Sequence, residues 1–392
     1  MDRPWLQIIG LGEDGLSGLS DASRNAIAAA EVIIGGARHL DLAQAGARGQ
    51  AWPVPFDIAP VLARRGRAVV VLASGDPFWF GAGGSLAPHL AAAEWVAHPA
   101  PSTFALVAAR LGWPLESTAC HGLHAAPFAR LRADLHNNSR LICLLRDGDS
   151  PRALATWLTG MGFGASILHV CESMGGPHER IRQVQADAFD QTGISAPVAV
   201  AIAAKGIGLP RGFGLPDDLF AHDGQITKRP IRAMTLSALA PRPGEYLWDI
   251  GAGSGSISVE WCLAGGTAQA LEAKPARVKN MRANAASFGV DHRMTVTQGR
   301  APEAFAGLPI PDAVFIGGGG DAALYATLLP LLRPATRLVA NAVTLETESL
   351  LTGLHATHGG TLLRIDIAQT EPLGRMRGWS AARPVVQWSV TL

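Results

Sequence analysis

Three glycines at alternate positions, Gly251, Gly253 and Gly255, interrupt the stretch LWDIGAGSGSISVEW at 247–261. With no Cβ in the way and positive φ freely available, such a run lets backbone approach a ligand closely. Its G-x-G-x-G register differs from the G-x-G-x-x-G of dinucleotide loops, and no G-K-[ST] follows to carry a lysine to a phosphate. Two carboxylates narrow the choice further. Asp249 stands two positions before the first glycine, where it would face a cationic amino acid group better than a pyrophosphate. Glu272 ends the next apolar run, placed to accept hydrogen bonds from both hydroxyls of a ribose. An adenosine joined to a positively charged methionine needs both. The ligand expected at Asp249, Gly251, Ala252, Gly253, Ser254, Gly255 and Glu272 is therefore S-adenosylmethionine (SAM).

A second glycine-rich turn, IIGLGEDG at 8–15, carries Gly12 and is by itself compatible with a plain tight turn. VVVLASGDPFWFGAGG at 69–84 strengthens the ligand reading. A buried strand runs into Ser74-Gly75-Asp76-Pro77, where Pro77 suits the first position of a new helix and Asp76 its cap. Cys120, His121 and His124 could be imagined as metal ligands, but no fourth ligand lies at a usual spacing, so no metal is expected.

These loops need strands and helices to hold them. At 392 residues the chain is long enough for two domains of roughly 150–200 residues each. Hydrophobic residues make up 48% and charged residues 17%, ample for buried cores. In the first half WLQIIG, RAVVVLA, SRLICLL, ASILHV and APVAVAIA read as strands, with helices at DASRNAIAAAE, GAGGSLAPHLAAA, TFALVAARLG and SPRALATWLTGMG. In the second half the strands are EYLWDI, GTAQALEA, MTVTQG, DAVFIGG, TRLVANAV, TLLRIDIAQT and PVVQWSVT. The last two are separated by EPLGRMRGWSAAR, too short for a helical crossover, and are expected to pair antiparallel. Alternation of this kind specifies α/β architecture. The Gly- and Pro-rich KGIGLPRGFGLPDDLF gives a linker at 206–215 between domains 1–205 and 216–392.

With 33 basic and 32 acidic side chains, no global field gathers nucleic acid or an anionic membrane. Four single cysteines without a C-x-x-C pair fit reduced thiols in a cytoplasmic protein. MDRPWLQIIG sets charge and proline directly before a strand-like run, leaving no room for a signal peptide's apolar core. The longest apolar stretch, ISAPVAVAIAAK, is broken by Pro197 and falls short of the ~20 residues that span a bilayer.

Beyond these readings, SGDPFWFG, HPAPSTFALVAARLGWP, CHGLH and CESMGGPHERI resemble the tetrapyrrole methylase family, in the branch that methylates precorrin-6Y at C5. The resemblance implies a two-lobed α/β fold with SAM in the cleft between lobes. It implies contacts from Ser74, Gly75, Asp76 and Trp79, from Ser102 and Thr103, from Leu145, and from Gly12 and Met174. Two departures are visible: Glu13 and Asp14 stand where the family commonly has Pro-Gly, and Leu123 replaces an arginine.

From about 215 onward, LPDDLFAHDGQITK, LWDIGAGSGSISVE, ALEAKP, GRAPEAF, PDAVFIGGGG and ANAVTLET resemble the small corrin-pathway methyltransferase that acts on precorrin-6B and decarboxylates it. That implies the class I SAM-dependent methyltransferase fold, a parallel sheet with a final antiparallel strand, and adds Thr227 and Ala301 to the SAM contacts. Pro230 stands where that family usually has glutamate.

A fusion of the two is similar to the two-domain methyltransferases of cobalamin biosynthesis over essentially the full length. The resemblance implies C5 methylation by the N-terminal domain, and C15 methylation with decarboxylation of the ring C (C12) acetate by the C-terminal one. A precorrin carries many carboxylates, for which Lys228, Arg229, Arg232, Arg375, Arg377 and Arg383 are candidate donors, Arg375 and Arg377 foremost. No general acid or base follows from spacing, and His292, Asp321 and Glu346 read as surface or strand-end residues. Further expected partners are copies of the chain itself, in a homo-oligomer. The competing readings are a methylase fused to an NAD-dependent dehydrogenase, against which the G-x-G-x-G register and Asp249 argue, and a SAM-sensing regulator, for which two ligand loops are superfluous.

Overall fold

The structure, a computed structural model, describes residues 4–318 and 320–392. Met1–Arg3 of the charged start and Gly319 of the IGGGG run lie outside the described residues. The chain divides into two units, Met1–Phe128 with Asp134–Gly208, and Ala129–Ala133 with Leu209–Leu392.

In the first unit β1 (Leu6–Leu11), β2 (Val32–Gly35), β3 (Gly49–Ala51), β4 (Val69–Ser74) and β5 (Trp95–His98) form a parallel sheet in the order β3-β2-β4-β1-β5. β1, interrupted only by Gln7 and Gly10, and β4 read as nearly continuous apolar runs because both faces are covered. Ile9 and Leu72 pack with Ile27 on one side, while Ile8 and Val71 pack with Val61 and Leu86 on the other. The second lobe holds β6 (Thr118–Gly122), β7 (Arg140–Leu145), β8 (Ile167–Glu172), β9 (Arg180–Gln185) and β10 (Val198–Ala203) in the order β6-β7-β10-β8-β9. Here β6 and β7 pair parallel and the remaining pairs are antiparallel.

The second unit contains β11 (Tyr246–Ile250), β12 (Thr267–Glu272), β13 (Met294–Gln298), β14 (Ala313–Ile316), β15 (Arg337–Ala342), β16 (Thr361–Ile365), β17 (Ala368–Leu373), β18 (Met376–Ala381) and β19 (Val385–Thr391). Seven of these make one sheet, β13-β12-β11-β14-β15-β19-β16. Successive residues of its central strands face opposite layers. Leu247, Phe315 and Val339 meet residues of the helices Arg229–Leu239, Ser256–Leu263 and Pro275–Ser287. Trp248, Val314 and Leu338 meet the helices Ala322–Leu328 and Leu345–His358. Strand order reverses between β11 and β14, and in such sheets the ligand crevice lies outside the carboxyl ends of the strands at that point.

Several elements differ from the sequence expectations. Pro77 does not open a helix: residues 75–80 are turns, and the next helix, Ala82–Leu86, is one short piece followed by a 3-10 turn at Ala87–His89. Gly83 and Gly84 are weak helix formers, and Pro88 ends the run. TLLRIDIAQT is two strands, β16 and β17. EPLGRMRGWSAAR completes a β17–β18 hairpin instead of merely linking. The antiparallel strand β19 does pair with β16, and it is inserted between β15 and β16, antiparallel to both. β2, β3, β5, β6 and β9 were not among the expected strands; all have six residues or fewer.

Arg232 is the clearest correction. Expected as a donor to substrate, it is wholly buried in the helix Arg229–Leu239, on the face that also presents Leu236 and Leu239. Its guanidinium pairs with Glu260 at 2.6 Å and Asp217 at 2.9 Å, donates to the carbonyls of Thr227 and Leu215, and lies 4.8 Å from the Phe220 ring centroid. Glu260 in turn accepts from the backbone N–H groups of Gly214 and Leu215 at 2.7 and 2.9 Å. Four of its five N–H donors are engaged inside the protein, and the wholly buried group presents none to a substrate. Truncating one partner of such a pair strands a buried charge, at about 3–5 kcal/mol. Arg232→Met is expected to lower stability by ~3–5 kcal/mol in urea unfolding, and a loss below ~1 kcal/mol would contradict this account of the clamp.

Candidate functional site

The first unit has a cleft of about 180 Å³ between its two lobes. One wall is Leu11–Glu13 after β1, Arg38, and Ser74–Gly75 at the end of β4. The other is built from Leu144–Leu145, Cys171, Met174 and Pro197–Val198. Backbone crowding explains the glycine on the near wall. Gly75 has φ +55°, and a Cβ there would stand 2.6 Å from Ser102 Cα. A Cβ on Gly10 would lie 1.7 Å from the Gly75 carbonyl oxygen.

Of the residues singled out in sequence, Gly12, Ser74, Gly75, Thr103, Leu145 and Met174 line this cleft. Asp76, Trp79 and Ser102 are not among the lining residues and have local partners. Asp76 accepts from Phe78 N–H at 2.8 Å, closing a turn, and the Trp79 ring packs 4.8 Å from that of Phe104. Ser102 caps the helix Thr103–Leu111, accepting from Ala105 N–H at 3.2 Å.

Sequence reasoning missed Arg38 and His39, which follow β2 on the short helix Ala37–Leu42. Arg38 pairs with Glu13 and donates to Ser74 Oγ at 3.1 Å, while Ser74 Oγ lies 2.8 Å from His39 Nε2. Burial, with the Arg38 charge beside it, pushes the His39 imidazole down to about 4, so the ring is neutral and Nε2 can accept. Cys120 is half-buried, its thiol pushed up to about 11 by burial, and among the described residues no group of three or more His, Cys, Asp or Glu is placed to hold a metal ion.

In the second unit the glycine loop joins β11 to the helix Ser256–Leu263. Gly251, Gly253 and Gly255 all have positive φ, at +70°, +59° and +73°. Glu272, at the end of β12, reaches back to this loop. One carboxylate oxygen accepts from Gly253 N–H at 3.1 Å and the other from Lys274 N–H at 2.9 Å. Asp249 is 1% exposed. Its Oδ2 accepts from Ser258 Oγ at 2.6 Å, whereas its Oδ1, and the glycine loop's Ser254 Oγ, are buried without a hydrogen-bond partner among the described residues. Such orphaned buried atoms are uncommon in folded proteins and call for a specific explanation. A carboxylate oxygen awaiting a donor, beside a loop with no Cβ to obstruct it, fits a polar cationic ligand such as SAM.

The remaining candidates sit as follows. Thr227 is half-buried, its carbonyl held by Arg232 at 2.5 Å, and Ala301 packs into the layer containing Trp248 and Phe305. Ala252 and Ser254 lie within the loop. Arg375 follows Gly374 (φ +59°) in the β17–β18 turn, and Arg375, Arg377, Arg229 and Arg383 are exposed. Lys228 is exposed, 4.0 Å from Asp217. Asp321 caps the helix Ala322–Leu328, accepting from Leu324 N–H at 2.8 Å; Glu346 is exposed in the first turn of its helix. His292 lies beside Asp291.

Known proteins match both units. A family model described as tetrapyrrole (corrin/porphyrin) methylases covers residues 6–190, and one described as precorrin methyltransferase domain covers residues 218–392. A Sinorhizobium sp protein named precorrin-6Y C(5,15)-methyltransferase (decarboxylating) is 49% identical over 99% of this chain and 96% of its own length. The chain belongs to the precorrin-6Y C5,15-methyltransferase (decarboxylating) family. A second member, from Mycobacterium tuberculosis (strain CDC 1551 / Oshkosh), is 40% identical over 98% of this chain and 99% of its own. A solved structure titled as the C-terminal domain of precorrin-6Y C5,15-methyltransferase from Rhodobacter capsulatus is 63% identical, covering 47% of this chain and all of that one, with a TM-score of 0.46.

In this member of the precorrin methyltransferase family, Asp249 titrates unusually. Burial raises its carboxyl to about 7, the Glu272 charge adds to the rise, and the Ser258 hydrogen bond opposes it. A carboxyl whose folded pKa lies above its unfolded value, ~3.9, favours folding least when ionised. Its contribution is thus lost as pH rises from about 4 to about 7. Asp249→Asn removes that titration. Unfolding free energies measured across this window should therefore show the variant gaining on the parent protein as pH rises. A difference that does not change with pH would rule out the raised pKa.

Proposed function

We propose that the chain methylates a precorrin at C5 and at C15 and releases carbon dioxide from the ring C (C12) acetate, in cobalamin biosynthesis. The observation that carries this reading is two ligand loops of different architecture on one chain: the Ser74–Gly75 cleft and the Gly251–Gly255 loop. Each lies in a unit covered by its own methylase family model. The first unit takes C5, and the second takes C15 and the decarboxylation.

SAM, when bound, supplies a methyl group on a sulfonium, a strong electrophile. The residues that would hold it are Gly12, Ser74, Gly75, Thr103, Leu145 and Met174 in the first unit. In the second they are Thr227, Asp249, Gly251 to Gly255, Glu272 and Ala301. The work of these residues is placement: lining up a nucleophilic macrocycle carbon with the donor can supply several kcal/mol by proximity alone. Leu145, Met174 and Val198 give the first cleft an apolar wall, and the buried Asp249 gives the second loop an acceptor for the amino group. Decarboxylation leaves an electron pair that the conjugated macrocycle can accept. Arg375, in the exposed turn after Gly374, and Arg377, on the exposed strand β18 rather than in a loop, are donors for propionate or acetate groups.

Two experiments test this. In the first, mass spectra are recorded of a precorrin-6 species incubated with the full chain and with Gly75→Val and Gly253→Val variants. Two methyl additions and one carbon dioxide loss are expected from the parent. Gly75→Val should lose one methyl addition, and Gly253→Val the other together with the decarboxylation. If both additions vanish in either single variant while its fold is intact by circular dichroism, the division of labour is wrong. In the second, an Arg375→Ala, Arg377→Ala double variant should raise the KM for the precorrin, and an unchanged KM removes these arginines from the binding surface.

A further inference from the structure

The first cleft holds a charged group that neither the family resemblance nor the sequence reading assigned. Among its lining residues Arg38 is the one lysine or arginine. It reaches the cleft from the helix Ala37–Leu42, and its guanidinium is held on two sides. On one side it meets the Glu13 carboxylate, itself a lining residue; on the other it meets Ser74 Oγ at 3.1 Å and His39 Nε2 at 2.8 Å. The Arg38 and Glu13 side chains are 37% and 17% exposed. The pair is only partly buried, and ion pairs that keep contact with solvent contribute modestly to stability. The geometry also leaves capacity unused, since a guanidinium has five N–H donors in a planar fork and, among the described residues, no hydrogen bond from Arg38 uses Nε.

From this geometry we infer that Arg38 is the carboxylate anchor of the first cleft, with Glu13 as the resident counter-ion that an incoming carboxylate displaces or joins. The inference rests on the reading of that cleft as the C5-methylation site. His39 and Ser74 act as positioning residues. Neutral His39 accepts from Arg38 at Nε2, with Ser74 Oγ 2.8 Å from the same nitrogen, so it fixes the plane of the fork without adding a competing positive charge. The carboxylate has two sources, a side chain of the tetrapyrrole or the methionine end of SAM, and both offer the same two-oxygen edge to a guanidinium.

Steady-state C5 methylation by the full chain, read by mass spectrometry, separates the outcomes when KM is measured for the precorrin and for SAM in turn. Arg38→Gln is expected to raise one KM about tenfold or more, as removal of a charge-assisted hydrogen bond does, with kcat less affected. A rise for the precorrin identifies a tetrapyrrole carboxylate, and a rise for SAM identifies the cofactor's. Glu13→Gln, which removes only the competing carboxylate, should lower that same KM. If the pair were merely a loop tie, both substitutions would raise KM alike, and that result overturns the proposal. So does Arg38→Gln leaving both KM values within about twofold of the parent, where no charge-assisted bond has been lost. Should Arg38→Gln fold poorly, the direction of the Glu13→Gln shift still decides. Persistence of C5 methylation in Gly75→Val would instead overturn the site reading, and the proposal with it.

Discussion

Close approach of backbone to backbone at the carboxyl ends of parallel strands is the constraint on which both units depend. In the first, Leu11 pairs in register with Ser74, and the chain leaving Ser74 passes so near Ser102 that no Cβ fits on Gly75. In the second, β11 and β14 lie side by side, and a Cβ on Gly317 would come within 3.0 Å of the Gly251 carbonyl oxygen. Glycine at these crossings is a packing requirement before it is a ligand requirement. Its consequence is chemical, because Ser74, next to the first crossing, and Asp249, two residues before the second, inherit fixed positions from the strands that carry them. Preorganisation of this kind is what an in-line transfer between two small groups needs.

Charge satisfaction separates scaffold from site. Glu172 is buried and fully used: Arg180 and Arg182 donate to its two oxygens, and Ser195 N–H donates as well. Glu260 is used as completely by Arg232 and two backbone amides. Both ion clusters fasten loops to helices or strands through carboxylates with both oxygens engaged, although Arg182 Nε in the first is itself buried without a partner among the described residues. Asp249 is as deeply buried, yet keeps one oxygen without a donor among the described residues. Burial alone therefore does not mark a functional carboxylate. What marks it is burial with a hydrogen-bonding deficit at a place the backbone leaves open.

What was legible in the sequence follows from how local each signal is. The Gly251–Gly255 register and its two acids lie within one β-loop-α-β stretch, and Glu272 does meet the loop, through Gly253. The α/β class showed equally clearly, because parallel strands covered on both faces read as nearly continuous apolar runs. Arg232 misled for a physical reason. K-R-P-I-R looks like a solvated basic cluster, but Pro230 starts a helix whose phase puts residue 232 in line with the buried Leu236 and Leu239. Arg38 gave no signal at all. It reaches Ser74 only because β2 pairs with β4, placing Ile34 opposite Val71, a contact between segments far apart in the chain. The β17–β18 hairpin was invisible for the opposite reason: both its strands are largely exposed, so no hydrophobic alternation records them.

The near-neutral chain and its proposed polycarboxylate substrate fit together once recognition is taken to be local. A formal net charge of +1 gives no long-range field to draw an anion in, and charges separated by more than about 8–10 Å are screened at ordinary ionic strength. Individual guanidiniums must then do the selecting at contact distance. The chain separates its arginines accordingly: Arg180, Arg182 and Arg232 are committed to buried carboxylates, while Arg38, Arg375 and Arg377 face a cleft or solvent. Partial neutralisation by Glu13 serves the same end. An uncompensated cation in the first cleft would bind any passing anion, whereas one that must exchange a resident carboxylate for another gains only from a ligand with further contacts to offer. Selectivity then rests on the shape of the cleft wall formed by Leu145, Met174 and Val198.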